Sequence, residues 1–72
     1  MRRLDSRALY EALEAQRGAR KLSWARVAAE IGVSEATLRR ARLGGRMEVD
    51  GVLAMVGWLG LPVEAFVRDA DR

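Results

Sequence analysis

The chain has 72 residues, of which 32% are charged and 50% hydrophobic, and its formal net charge is +3. This length allows a single domain over residues 1–72 and leaves no room for a deep substrate cleft, because so short a chain buries only roughly 60% of the surface its unfolded form exposes. The absence of Cys and His excludes disulfides, thiolate and imidazole metal ligands, and a histidine general base. We therefore expect a protein that is not an enzyme and has no metal, no cofactor and no small-molecule substrate.

The positive charge is concentrated in the first two-thirds of the chain. Residues 1–46 carry 11 Arg and Lys against 5 Asp and Glu, a charge of +6, whereas residues 47–72 carry 2 against 5, a charge of −3. Twelve of the 13 basic residues are Arg, which suits bidentate contacts to phosphate and guanine. Genomic base composition would also favour Arg over Lys, but it does not explain where the charge lies. The distribution favours one face that meets a polyanion.

The sequence has no segment suited to a membrane. The longest mostly apolar stretch, residues 49–67, is interrupted by Asp50, Pro62 and Glu64 and is too short and too polar to cross a bilayer. The chain begins Met-Arg-Arg-Leu-Asp, without the apolar segment of a signal peptide. We expect a cytoplasmic protein with no membrane contact.

Apolar residues recur at helical spacing and no run alternates as a strand would, so the pattern predicts an all-α fold, a compact five-helix bundle. Gly18 is expected to stop the first helix. Ser23 and Ser34 are N-cap residues for the second and third helices, and Gly32 ends the second. Pro62 suits the first turn of a fifth helix, and the tail, residues 69–72, is expected to fray. The predicted helices span residues 5–17, 24–30, 35–42, 48–59 and 62–67.

The apolar faces of the last two predicted helices define the rest of the expected core. Trp58 has two alternative places: it either caps the bundle or is exposed beside Phe66 in a patch for dimerisation. The residues expected to face the core are Val49, Val52 or Leu53, Val56 and Leu59 in helix 4, and Val63, Phe66 and Val67 in helix 5.

The most informative pattern is Val27-Ala28-x-x-Ile31-Gly32-Val33-Ser34-x-x-x-Leu38. Two short helices that cross steeply need a small residue at their closest approach, a turn of a few residues and apolar residues beneath the corner. Ala28, Gly32 and Val33 meet these needs in turn. The outward positions that follow are basic, so the pattern predicts a helix-turn-helix over residues 23–42.

Residues 22–40 resemble the helix-turn-helix of the Cro and phage-repressor type, the xenobiotic-response-element family of lambda-repressor-like DNA-binding domains. Residues 58–63, Trp-Leu-Gly-Leu-Pro-Val, are similar to that family's junction between helices 4 and 5. The resemblance covers residues 8–67. It implies sequence-specific binding of double-stranded DNA by a small transcriptional regulator, with helix 3 in the major groove and two copies on operator half-sites.

The resemblance also implies roles for individual residues. Four outward residues of helix 3 would read base edges: Glu35, Ala36, Arg39 and Arg40. A second set would contact phosphates: Ser23, Trp24, Ser34, Thr37, Arg42, Gly45 and Arg46. At Gly45 the contact would come from bare backbone amides. The alternative is that the arginines form an ordinary solvated face and that Glu35 only complements the helix dipole.

Two positions depart from the family pattern. Trp24 stands where the family often has a phosphate-binding Gln, so it either donates its indole N–H to phosphate or belongs to the core. Arg42 stands where the family often has a Glu that pairs with a helix 1 Arg, here Arg17. Arg17 then pairs with Glu14 or Glu30, or both arginines face phosphate. The alternative function is a protein-interaction module, such as an antitoxin-like partner binder, that uses helix 4, helix 5 and Trp58.

Overall fold

The computed structural model describes residues 2–69 and is mostly helical, as the sequence predicts. A short 3-10 helix, Val63–Phe66, follows the last α-helix. A pair of three-residue strands joins the two ends of this part of the chain. The elements in chain order are β1 (Arg2–Leu4), α1 (Ser6–Arg20), α2 (Trp24–Ile31), α3 (Glu35–Leu43), α4 (Val49–Leu59), the 3-10 helix and β2 (Val67–Asp69).

The prediction of five α-helices and no strands is wrong at the C-terminal side of the chain. Pro62 is extended rather than helical, with φ −75° and ψ 151°, and the helical turn after it has only four residues. The backbone then extends at Val67 because β2 pairs antiparallel with β1, with Leu4 opposite Val67. Next to this ladder, the Asp5 N–H donates to the Phe66 carbonyl at 2.7 Å. Asp69 lies in β2 and is not frayed; the remainder of the predicted tail, residues 70–72, lies outside the described residues.

The first helix is longer than predicted. Gly18 does not stop it: α1 continues to Arg20, and Lys21 ends it with a left-handed backbone of φ 56° and ψ 45°. The Lys21 N–H donates to the carbonyls of Arg17 and Gly18, and the Leu22 N–H also donates to the Arg17 carbonyl, at 3.0 Å. These bonds satisfy carbonyls at the end of the helix. At the other end, the Asp5 side chain accepts from the Ala8 N–H at 3.0 Å and is the N-cap.

The corner between α2 and α3 has the N-cap residues and the turn glycine that the sequence predicts. Ser23 and Ser34 cap the two helices by accepting from the backbone N–H groups of Arg26 and Thr37, at 3.1 and 3.2 Å. Gly32 makes the turn with φ 90°, a conformation that a residue with a Cβ adopts only at a cost. The two helices are thus joined by a turn of three residues, Gly32 to Ser34.

One apolar core lies where α1 and α2 pack against α3 and α4. Val49 is not part of it: this first residue of α4 is 71% exposed, since it lies beyond the edge of the core. Val52 is buried and Leu53 is exposed, which settles the choice that the helical spacing left open. The buried apolar residues are Leu9, Leu13, Val27, Ala28, Leu38, Ala41, Val52, Met55, Val56 and Phe66.

Within residues 2–69, each helix is too short or too polar to span a bilayer.

Candidate nucleic-acid interface

The outer face of α3 is basic and uncovered. Leu38 and Ala41 point into the core, and this fixes which side of the helix faces solvent. The four residues predicted to read bases are all exposed, Glu35, Ala36, Arg39 and Arg40. The ion pairs among residues 2–69 involve other arginines, those at positions 17, 20, 26 and 68. The guanidinium groups of Arg39 and Arg40 therefore remain available to a ligand from solvent.

The turn between α3 and α4 brings three of the predicted DNA-contacting residues together. Thr37, Arg40 and Arg46 line one surface depression, whose other side is formed by the N-cap and the first turns of α4. That side includes Glu48 and Asp50, whose position beside the basic residues was not predicted from the sequence. A phosphate that entered this depression would meet two guanidinium groups but also two negative charges.

The predicted amide contact at Gly45 is not available. The Gly45 N–H donates to the Arg40 carbonyl at 3.0 Å, and the Gly44 N–H donates to the Ala41 carbonyl at 3.1 Å. Both amides are used to end α3, so the expectation of bare amides at Gly44 and Gly45 is wrong. Arg46 remains exposed beside them and is the group in this loop that could meet an anion.

The hydroxyl groups predicted to contact phosphate lie at helix N-termini. Ser34 Oγ caps α3 and also lies 3.0 Å from Thr37 Oγ1. Ser23 Oγ caps α2, and the first amides of that helix, at Trp24 and Ala25, have no acceptor within the helix. Such an N-terminus favours an anion through its free N–H groups and its dipole.

Trp24 is half-buried in a stack on α1. Its ring lies 5.1 Å from that of Tyr10, at an interplanar angle of 18°. The Arg17 guanidinium lies 5.1 Å from the Trp24 ring centroid. Trp24 also lines a depression with Glu35, Leu38, Arg39 and Arg42, so it adjoins the outer face of α3 while its ring packs inward.

The alternatives left open for Arg17 are settled in favour of Glu14. Arg17 donates from Nε and Nη2 to the two carboxylate oxygens of Glu14, at 3.2 and 2.9 Å. Its Nη1 donates to the Leu22 carbonyl at 2.9 Å. The hydrogen bond from Arg17 lowers the pKa of Glu14 and, in turn, raises the pKa of Arg17. Arg17 therefore anchors the α1–α2 connection, and Arg42 keeps an exposed guanidinium without this partner.

The predicted dimer patch of Trp58 and Phe66 is not present. Phe66 is only 5% exposed and belongs to the core. The Trp58 indole N–H donates to Glu30 Oε1 at 2.9 Å. The Arg20 guanidinium lies 5.3 Å from the centroid of the Trp58 ring. In the part of the chain that the structure describes, the exposed large apolar side chains are others, namely Leu43, Val49, Leu53 and Leu61.

Glu30, predicted only as a possible partner for Arg17, instead joins three elements of the fold. Its carboxylate accepts from Trp58 and from Arg26 Nε at 2.9 Å, and Arg20 Nη2 lies 3.5 Å away. The hydrogen bond from Trp58 lowers the pKa of Glu30 most, followed by the one from Arg26. The i,i+4 spacing of Arg26 and Glu30 was visible in the sequence, but the contacts from α1 and α4 were not.

Comparison with known proteins gives no further assignment: no family model matches the chain, and no curated protein and no solved structure is detectably similar to it. The resemblance to the Cro and phage-repressor type therefore stays a prediction. Among residues 2–69, no three carboxylates converge in a way that could hold a metal ion.

Proposed function

We propose that this protein binds double-stranded DNA sequence-specifically through α2, the turn and α3, as a small transcriptional regulator of the lambda-repressor-like type. One observation carries the proposal: Arg39 and Arg40 project from the exposed face of α3, free of ion pairs with the other described residues. Two adjacent arginines held outward on a short helix are suited to the major groove, where Arg is bidentate to guanine.

The neighbouring side chains supply complementary chemistry. Glu35 accepts a hydrogen bond from cytosine N4, and Ala36 contacts a thymine methyl group. The N-terminus of α2 and Arg46 bind the backbone phosphates on either side of the groove. In this arrangement α3 supplies the sequence preference, and the flanking groups fix its position on the duplex.

Selection from a random duplex library, followed by sequencing, tests sequence preference directly. On the selected duplex, Arg40→Ala is expected to weaken binding by about 1–3 kcal/mol and to relax the preference at one base pair. Arg46→Ala is expected to weaken all duplexes alike. Arg2→Ala removes the same charge from β1 and serves as the control. Equal weakening of Arg40→Ala on selected and scrambled duplexes would refute base reading by that residue.

Two copies are proposed to bind half-sites about one helical turn apart, because one domain this small makes few base contacts. Analytical ultracentrifugation of the protein with a duplex that carries the selected sequence once or twice gives the stoichiometry. One bound copy on every duplex contradicts the dimer.

The second candidate function is a protein-interaction module, and a separate observation favours it. Val49 and Leu53 are 71% and 52% exposed and lie four residues apart on one face of α4, so they form an apolar strip that the other described residues do not cover. A stable hetero-complex that Leu53→Ser abolishes and Arg40→Ala preserves, with no duplex binding at low salt, would support this function over the first.

A further inference from the structure

A second arginine cluster lies beyond the C-terminal end of α3. Arg3, Arg7 and Arg68 line one shallow depression together with Asp5 and Gly44. They come from β1, α1 and β2, so only the folded chain brings them together. Because Gly44 is the C-cap of α3, this depression adjoins the helix that carries Arg39 and Arg40.

The strand pairing places two of these arginines directly opposite each other. Arg3 is the cross-strand partner of Arg68 in the β1–β2 register, and like charges in that relation destabilise a sheet. One carboxylate lies close by: Asp5 Oδ2 is 3.7 Å from Arg68 Nε. Asp5 also accepts from the Ala8 N–H through Oδ1. Counted over residues 2–69, the cluster therefore holds three arginines against one aspartate, an excess of two positive charges.

Arg7 is held against the end of α3. A Cβ at Gly44 would lie 3.4 Å from Arg7 Cγ and 3.5 Å from Arg7 Cδ, so the aliphatic part of Arg7 covers this glycine. Among residues 2–69, no carboxylate lies within ion-pair distance of Arg3 or Arg7. Arg68 differs, since its Nη1 donates to the carbonyls of Ala65 and Val67, each at 3.1 Å. Arg68 is thus tied to the backbone, while the other two guanidinium groups face solvent.

We infer that Arg3 and Arg7, with Arg68 beside them, bind a phosphate of the DNA backbone that flanks the base pairs contacted by α3. The inference rests on the proposed function. Gly44 follows Arg40 by four residues, about 6 Å along the helix axis, so a duplex in contact with Arg40 also brings its backbone close to the cluster. Guanidinium groups match a phosphate through paired N–H donors, and a bound phosphate offsets the repulsion between Arg3 and Arg68.

Arg2 provides a matched control for Arg3. The two are neighbours in β1 and both are exposed, but successive strand residues point to opposite faces, and Arg2 does not line the depression. Arg3→Ala and Arg2→Ala remove the same charge. Affinity for a 30-base-pair duplex centred on the selected sequence is measured by fluorescence anisotropy from 50 to 200 mM salt. Urea unfolding verifies that both variants are folded.

Loss of one phosphate contact reduces the slope of log K against log[salt] by about 0.9. For Arg3→Ala, the affinity ratio of wild type to variant is then expected to shrink about 3.5-fold between 50 and 200 mM salt. Arg2→Ala is expected to keep the wild-type slope. On a duplex cut back to the base pairs that α3 contacts, Arg3→Ala and wild type are expected to bind equally.

Equal slopes for Arg3→Ala and Arg2→Ala, with wild-type binding intact, overturn this inference and leave the proposed function standing. Absence of wild-type binding to any duplex overturns both. Loss of an acidic protein partner in Arg3→Ala, with DNA affinity and slope unchanged, also overturns the inference and assigns the cluster to protein recognition.

Discussion

Replacement of Gly18 by Ala is expected to stabilise the protein, because Gly18 lies inside α1, two residues before its end at Arg20. Its φ is not positive, and a Cβ at this position would meet no heavy atom within 4 Å. Ala is favoured over Gly inside a helix by about 0.5–1 kcal/mol. With no steric term to oppose it, we expect this whole gain in the free energy of unfolding.

Lys21→Gly is also expected to stabilise the protein, because Lys21 has the left-handed backbone that glycine adopts most easily. Lys21 holds a left-handed backbone with φ 56°, which costs a residue with a Cβ roughly 1–2 kcal/mol. Glycine removes that cost, but it also stabilises the unfolded state by about 0.4–1 kcal/mol through added chain entropy. The middle of the two ranges gives a net gain of about 0.8 kcal/mol. Lys21→Ala keeps the strained backbone while it removes the charge, and no comparable gain is expected.

Urea unfolding at 25 °C, followed by circular dichroism, measures both changes. With a slope of about 1 kcal/mol per molar urea for so small a domain, each gain shifts the midpoint upward by about 0.5–1 M. Gly32→Ala is the control with the opposite expected sign. Gly32 has φ 90° and a Cβ there would meet no heavy atom within 4 Å. The substitution therefore adds only the cost of a left-handed backbone, and the midpoint is expected to fall. A lower midpoint for Gly18→Ala would show that α1 ends at Gly18 and would refute its continuation to Arg20.

Three further outcomes are expected. Phe66→Ala should lower the free energy of unfolding by about 3–5 kcal/mol, since it removes a buried aromatic ring. Thermal unfolding followed by circular dichroism measures this loss, and an unchanged transition would contradict the burial. Because the pKa values of Glu14 and Glu30 are lowered from 4.5, the stability from their pairs is complete above about pH 4.5 and lost as pH falls through the lower folded-state values. Urea midpoints from pH 7 to 3 measure this loss, and Glu30→Gln should lessen it. Trp58→Phe should raise the pKa of Glu30 toward its ordinary value, as followed by NMR titration of its carboxyl carbon, and no change would contradict the role of the indole N–H.

The local signals in the sequence predicted most of the helical fold. Ser23 and Ser34 cap α2 and α3, and Gly32 forms the turn, because each acts on a backbone group within four residues of itself. The same reasoning failed at Gly18, where a glycine was taken as a helix end and a lysine, Lys21, in fact adopts the left-handed conformation. Nothing in the local sequence marks a lysine for that conformation.

The strand pair could not be predicted from local patterns. Each strand has three residues, too few to show alternation, and the pairing joins positions more than 60 residues apart in the chain. Once the ladder and the hydrogen bond from Asp5 to Phe66 form, the segment after Pro62 has room for only a single 3-10 turn. Phe66 is consequently drawn into the core instead of lying exposed beside Trp58.

The exposure of the outward residues of α3 was predictable from the sequence. The residues that surround them in the fold were not. The inward positions Leu38 and Ala41 fix the outward face of α3 by helical geometry alone. The carboxylates of Glu48 and Asp50 beside Arg46, and the use of the Gly45 amide as a cap, depend on how α4 returns from α3. Both features belong to the tertiary structure. Because the Gly45 amide is occupied, the phosphate contact expected in this loop is now the Arg46 side chain and not the Gly45 backbone.

α2 and α3 are held in the fold by different kinds of contact, and this difference suits the proposed function. α2 is fixed near both ends by side chains, with Trp24 stacked on Tyr10 at its start and Glu30 bonded to Trp58 near its finish. α3, within the described part of the chain, is held to its neighbours by the buried Leu38 and Ala41 and by no ion pair. A recognition helix must keep its polar side chains for the ligand while its position stays fixed. Anchoring α2 and packing α3 against α1 and α2 through apolar contacts meets both requirements, since no guanidinium group of α3 is used in an ion pair with another described residue.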